Sequence, residues 1–194
     1  MGPITGFRCG FDPASAPAQN IAVLIGDSIV SDLWLNGVNT IRPLGKVVVR
    51  AAVAGEEIGQ QYQRWLVSDQ RGDVRVKWIY VQCGINDILH GSYTAAQIIA
   101  NMTTLINDIQ AKNPWSTIRL EKMDPCKTKL DAVSLTGGPN RYQQWLDVNA
   151  GLAAAFPAIW HTDISDNLNN GADSLKAGYD SGDNLHPNST GDQD

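Results

Sequence analysis

The chain has 194 residues, 43% of them hydrophobic and 18% charged, with a formal net charge of −5 at pH 7. That length buries a sizeable core as one domain, 1–194, without calling for a second. The acidic balance and the lack of any Lys/Arg cluster exclude the basic footprint of a nucleic-acid or anionic-membrane binder.

In chain order, residues 1–20 read as a loop-like leader containing Pro13 and Pro17, and the opening Met1–Phe7 has neither the basic stretch nor the apolar run of a secretory signal. Ile21-Ala22-Val23-Leu24-Ile25, ended by Gly26, is a continuous apolar run of the kind expected of a strand buried on both faces. Lys46–Val49 and Lys77–Cys83 repeat the pattern, each β-branched or aromatic and each followed by a Gly-containing turn. Thr94 opens the clearest helix: Gln97 completes a capping box, and Ile98, Met102, Leu105 and Ile109 form one apolar stripe. Ile118–Met123 alternates like a half-exposed strand. A second helix is expected from about Pro139, with Tyr142, Trp145, Leu152 and Phe156 facing inward, and Ala158-Ile159-Trp160 is a short fifth strand candidate. Asp124–Gly138 and Thr162–Asn184 read as long irregular stretches, which in a compact domain are usually functional or disordered. Strands alternating with helices imply an α/β domain with a parallel sheet covered on both faces, whose ligand site lies outside the carboxyl ends of the strands. No apolar run reaches transmembrane length.

Chemistry concentrates at strand ends. Gly26-Asp27-Ser28 follows the first strand, and a serine at a strand end and helix start meets backbone N–H groups and a dipole that favour developing negative charge. The same tripeptide can also do no more than cap the next helix through Asp27 or Ser28. Asp183-Asn184-Leu185-His186-Pro187 sets a carboxylate three residues before a histidine, a spacing that lets the acid hold one ring nitrogen while the other takes a serine proton; its plain alternative is a solvated turn. Gly84-Ile85-Asn86-Asp87 follows the third strand, where Asn86 is either an oxyanion donor or, with Asp87, a helix cap. Gly55 follows the second strand, as a backbone donor or simply a flexible turn. His90 and His161 have no nucleophile motif beside them. Cys9, Cys83 and Cys126 lack CxxC spacing and read as free thiols, and no zinc or disulfide framework is expected. A calcium loop over Asp163–Asn169 lacks the Gly at position six and the Glu at twelve, so no metal is expected.

Taken together, these blocks resemble the SGNH (GDSL-like) hydrolase family, which carries a Gly-Asp-Ser turn, a Gly, a Gly-x-Asn-Asp and an Asp-x-x-His in that order; here they span Gly26 to Pro187. The resemblance implies a three-layer α/β/α sandwich of flavodoxin-like type with a mostly parallel five-stranded sheet. It implies a serine esterase without a cofactor, in which Ser28 is the nucleophile, His186 the base and then acid, and Asp183 its orienting partner. Ser28 (backbone N–H), Gly55 and Asn86 would form the oxyanion hole. Two features depart from the pattern. Glu56 and Glu57 follow Gly55, where small or hydroxylated residues are more usual, and would add negative charge at the site mouth. The family also normally finishes with a helix after the histidine block, whereas this chain stops at Asp194, as a domain cut from a longer protein or a trimmed end would.

An ordinary α/β-hydrolase is disfavoured because Val30 stands where its Gly-x-Ser-x-Gly elbow needs the last glycine. A small-molecule or saccharide ester, above all an O-acetyl group on carbohydrate, is the expected substrate, since no amphipathic lid for long lipid tails is evident and the loops are polar and contain Trp. Trp34 is a candidate for the acyl or sugar pocket, although a Trp beside an apolar helix face is more often core. Lipid or thioester hydrolysis, or a non-catalytic carbohydrate-binding module that keeps the fold, are the alternatives. Oligomeric state and compartment have no signal in the sequence.

Overall fold

The computed structural model describes residues 20–31, 47–91, 93–134 and 140–188. Within them five strands, β1 (Ile21–Gly26), β2 (Val47–Arg50), β3 (Val76–Gln82), β4 (Thr117–Glu121) and β5 (Trp160–His161), form one sheet of order β2-β1-β3-β4-β5. Every neighbouring pair is parallel. Six helices accompany them: α1 (Ile58–Leu66), α2 (Ile85–His90), α3 (Ala95–Lys112), α4 (Lys127–Val133), α5 (Arg141–Ala155) and α6 (Asp163–Leu168).

The connections from β2 to β3, β3 to β4 and β4 to β5 all step across the sheet in one direction, so right-handed crossovers put α1, α3 and α5 on one face. α3 packs against both α1 and α5. Its stripe is the centre of the core: Ile98, Met102, Leu105 and Ile109 are all fully buried, joined by Ile106 and by Trp65 and Trp145 from the flanking helices. Thr94 caps α3 as its sequence predicts, its hydroxyl accepting from Gln97 N–H while Gln97 Oε1 accepts from Thr94 N–H.

Some expected boundaries move. α5 starts at Arg141, with Asn140 as the cap accepting from Gln143 N–H, so the helix begins after Pro139, which lies outside the described residues. Trp145 and Leu152 of α5 are buried, and Tyr142 and Phe156 are partly buried against the same core. The fifth strand is Trp160–His161 rather than 158–160, because Ile159 N–H and Trp160 N–H both turn back onto Phe156 O at the end of α5. β1 alternates, with Val23 and Ile25 buried but Ala22 and Leu24 only half-buried, so its apolar run does not mean equal burial on both faces. The two stretches read as irregular hold α4 and α6, helices of 7 and 6 residues, too short for a periodic stripe to show. Residues 1–19 of the leader, including Cys9, together with Trp34 and 189–194, lie outside the described residues.

Candidate active site

The register aligns the carboxyl ends of β1 and β3, with Gly26 opposite Gln82. Gly26 is where the chain can turn sharply: a Cβ there would lie 2.3 Å from Val30 Cγ2 and 2.4 Å from Gln82 O, so no side chain fits. Asp27 follows, its Oδ1 accepting from Ile29 N–H at 3.1 Å, and Ser28 opens a helical turn closed by Ser31 N–H to Asp27 O. Asp27 thus caps the turn, as one reading of the tripeptide expects, and Ser28 is left at its start, among N–H groups the helix itself does not use.

The far end of the chain meets this turn. His186 Nε2 lies 2.7 Å from Ser28 Oγ, and its Nδ1 lies 2.5 Å from Asp183 Oδ2. Asp183 Oδ1 accepts from His186 N–H (2.8 Å), Leu185 N–H (3.0 Å) and the Ser181 hydroxyl (3.1 Å). Burial pushes the Asp183 carboxyl up, but the backbone N–H and ring of His186 and the Leu185 N–H outweigh it and hold the group well below the usual carboxylate range. An ionised Asp183 keeps the proton on Nδ1, which leaves the Nε2 lone pair for the Ser28 hydroxyl.

Gly55 and Asn86 come from neighbouring loops that are tied together. Hydrogen bonds from Ala51 N–H to Leu24 O and Val53 N–H to Gly26 O carry the chain after β2 along the end of β1. Gly55 then adopts φ +78°; a Cβ there would meet nothing, so the left-handed backbone rather than space calls for glycine. The Asn86 amide donates to Glu56 O at 3.1 Å, the Asp87 carboxylate accepts from Ile58 N–H at 3.0 Å, and His90 Nδ1 lies 3.0 Å from Glu57 Oε1. Asn86 and Asp87 thus do not cap their own helix, whose N-cap is Gly84; Asp87 caps the neighbouring α1 instead. One hydrogen of the Asn86 amide is committed to Glu56 O and the other is available. The charge expected from Glu56 is offset by its ion pair with Arg64.

The other histidine lies elsewhere: His161 is near Asp163, at 3.9 Å. Asp163 and Asp166, imagined as part of a calcium loop, lie in α6 and pair with Arg119 and Lys122. Among the described residues no group of three or more His, Cys, Asp or Glu side chains is arranged to hold a metal, and no helix is long and apolar enough to cross a membrane. Cys83 and Cys126 are buried free thiols.

Beneath the Ser28 turn lies a layer that no local motif announces. Asp27, Asp87 and Asp124 are each at most 1% exposed. Gln82 donates to Asp124 Oδ1 at 2.7 Å, and Gln61 donates to Gly26 O at 2.5 Å. Desolvation, against the opposing pull of the Ile29 N–H and helped by the charges of Asp124 and Asp87, pushes Asp27 up to about 7. Desolvation likewise raises Asp87 to about 6, against the Ile58 N–H. The available signal was placement, polar residues sitting at the ends of apolar strands where loops would normally take them to solvent.

Comparison with known proteins bears on the family and the fold. The family model of the GDSL-like lipase/acylhydrolase family matches residues 24–193. Among solved structures, the chain is similar to a GDSL-like lipase from Bacteroides thetaiotaomicron (16% identity, 89% of this chain and 82% of that one, TM-score 0.67). It is similar to the lipase/acylhydrolase from Enterococcus faecalis (19% identity, 90% of each chain, TM-score 0.65). It also resembles a psychrotrophic esterase from Pseudoalteromonas sp. in a structure inhibited by monoethylphosphonate (17% identity, 90% of this chain and 91% of that one, TM-score 0.63). At these identities the likeness is one of fold. No similar sequence is found among the curated proteins. Matched over most of its length by the family model, the chain belongs to the GDSL-like lipase/acylhydrolase family.

Proposed function

We propose that the protein is a serine esterase that hydrolyses carboxylic esters through an acyl-enzyme on Ser28, acting on short acyl groups such as acetyl on a saccharide. The observation that carries this reading is the unbroken contact chain from Asp183 Oδ2 through His186 to Ser28 Oγ. In the forward step Ser28 Oγ bonds to the ester carbonyl carbon as its proton passes to His186 Nε2. The carbonyl oxygen becomes an oxyanion, met by the N–H groups of Ser28 and Gly55 and by the Asn86 amide. Collapse breaks the carbon–oxygen bond to the alcohol, which leaves with the proton from His186. Water, deprotonated by His186, then attacks the acyl-enzyme, and the acid departs with Ser28 restored.

The saccharide part of this reading rests on a polar cavity beyond α2, whose lining holds none of Ser28, Gly55, Asn86, Asp183 or His186. A cavity of about 430 Å³ opens between the first turns of α3 and α5, with Tyr93, Gln97, Asn140, Arg141 and Gln143 in its lining. Both helices start after the carboxyl ends of their strands, which is the end of the sheet bearing Ser28. α2 runs from Asn86 toward Gly91, about 7–8 Å along its axis, so a hydroxyl-rich alcohol bound near the oxyanion donors has polar partners within about two sugar rings.

Wild-type protein hydrolyses p-nitrophenyl acetate and takes up a fluorophosphonate probe at Ser28, located by mass spectrometry, and both are lost in a folded Ser28→Ala variant. Hydrolysis undiminished in that variant would overturn the nucleophile. Comparison of acetyl with octanoyl esters tests the acyl class, and a preference for eight carbons or more would replace the acetyl reading with a lipid one.

A further inference from the structure

The triad segment carries a second aspartate in the same spacing, Asp180, three residues before Asp183, which is itself three before His186. Asp180 Oδ1 accepts from Gly182 N–H at 2.9 Å and Asn184 N–H at 3.0 Å. It does for residues 182 and 184 what Asp183 Oδ1 does for 185 and 186. The backbone of this loop is left-handed at Gly182 (φ +106°) and Asn184 (φ +60°), a conformation that glycine and asparagine adopt more readily than other residues. The base of the loop is clasped independently. Ser181 N–H donates to His186 O at 3.0 Å, Asn188 N–H to Tyr179 O at 2.6 Å, and the Asn188 side chain to Gly178 O and Asp180 O at 2.9 and 3.3 Å. Residues 178–181 and 186–188 thus lie side by side, and 182–185 form a tip whose shape is set by the two carboxylates.

We infer that Asp180 is a positioning residue for the Asp183–His186 pair: it accepts the two N–H groups that would otherwise let the tip relax, and so fixes the direction from which Asp183 addresses the imidazole. It touches neither substrate nor Ser28. The role rests on the esterase reading for its catalytic consequence, but not for its geometric one. An asparagine offers the same acceptor oxygen without the charge, and an alanine offers nothing, so the two substitutions separate acceptance from electrostatics.

The test compares wild type, Asp180→Asn and Asp180→Ala by proton NMR of the His186 Nδ1–H signal and by kinetics on p-nitrophenyl acetate. A short Nδ1–H to carboxylate hydrogen bond gives a far-downfield proton resonance; it is expected in wild type and in Asp180→Asn and absent, through exchange with water, in Asp180→Ala. In parallel kcat should fall about 10–100-fold in Asp180→Ala with KM within about threefold, while Asp180→Asn stays within about threefold of wild type in both. An unchanged signal and kcat in a folded Asp180→Ala, or Asp180→Asn as impaired as Asp180→Ala, would overturn the proposal. Should Asp180→Ala not fold, amide exchange in wild type decides the matter: Gly182 and Asn184 N–H are expected to be protected, and exchange at unstructured rates refutes it. The NMR readouts need no turnover, so a chain that hydrolyses no ester but keeps the signal refutes the esterase reading and leaves this one standing.

Discussion

Asp27 sits directly before Ser28, the proposed nucleophile, and behaves unlike an ordinary surface aspartate. Its Oδ1 accepts from Ile29 N–H, but no donor among the described residues reaches its buried Oδ2. With its carboxyl raised from 3.8 to about 7 on folding, the native state binds a proton that the unfolded chain releases. The native state then holds more protons than the unfolded one between those values, so its contribution to stability falls as pH rises from about 4 to about 7 and stays reduced above. Asp87, raised to about 6, acts in the same sense. Asp183, held low, acts in the opposite sense: its contribution is full above its ordinary value of 3.8 and is lost progressively as pH falls below it. Replacing Asp27 with Asn, which keeps the acceptor for Ile29 and removes the ionisation, should raise the urea midpoint relative to wild type at pH 8 and much less at pH 4. An equal difference at the two pH values would refute this. The contrast also shows what was legible. Asp183 and His186 announce themselves because three residues on one loop are enough to bring them together. The burial of Asp27 and its proximity to Asp87 and Asp124 depend on three strand ends meeting, which no local spacing encodes.

Between elements, the consequential contact is the one α2 makes with the start of α1. Asp87 holds the Ile58 N–H while Asn86 holds Glu56 O, two successive residues joining the loops that carry the proposed oxyanion donors. Asp87→Ala removes a helix cap and is expected to cost about 1–2 kcal/mol of stability, and, by freeing the Gly55 loop, to lower kcat on p-nitrophenyl acetate more than it raises KM. Thr94→Ala is the matched control. It removes the cap of α3, at a cost of about 1 kcal/mol, yet leaves kcat on p-nitrophenyl acetate as it was, because the Thr94 hydroxyl bonds only to Gln97 of its own helix and to none of Ser28, Gly55, Asn86 or His186. Chemical denaturation together with kinetics on both variants checks the pair. Elements of this kind were unevenly legible. α3 is 18 residues long with every stripe position buried, so its period stands out. α4 and α6 run for fewer than two full turns beyond their caps, and β5, expected at 158–160, is a two-residue strand whose exact place is fixed by pairing with β4. For α4 and α6, and for the bounds of β5, the information lies in the partner, not in the segment.

At the scale of the whole molecule, parallel strands joined by helices force each crossover to close before the next strand can pair, and α3 is the element on which this depends most. Leu105→Ala, at the centre of its buried stripe, should destabilise the protein by about 2–5 kcal/mol while leaving KM and kcat near wild type at temperatures where it remains folded; thermal unfolding and kinetics at 20–25 °C, about the usual reference temperature, measure both. The fold class was readable because alternating apolar strands and amphipathic helices admit few other arrangements. The strand order was not, since β1 becomes internal only when β2 and β3 take opposite sides of it.

Ser28 and His186 touch across 158 residues of sequence. Hydrolysis therefore cannot begin in a chain still being synthesised before its last strand and loop have emerged and docked, however well its first strands have already formed. In refolding from denaturant, esterase activity should appear with the slowest productive phase, later than the recovery of helical circular dichroism. Turnover at the proposed triad would then report that the Ser28 turn and the His186 loop have found each other.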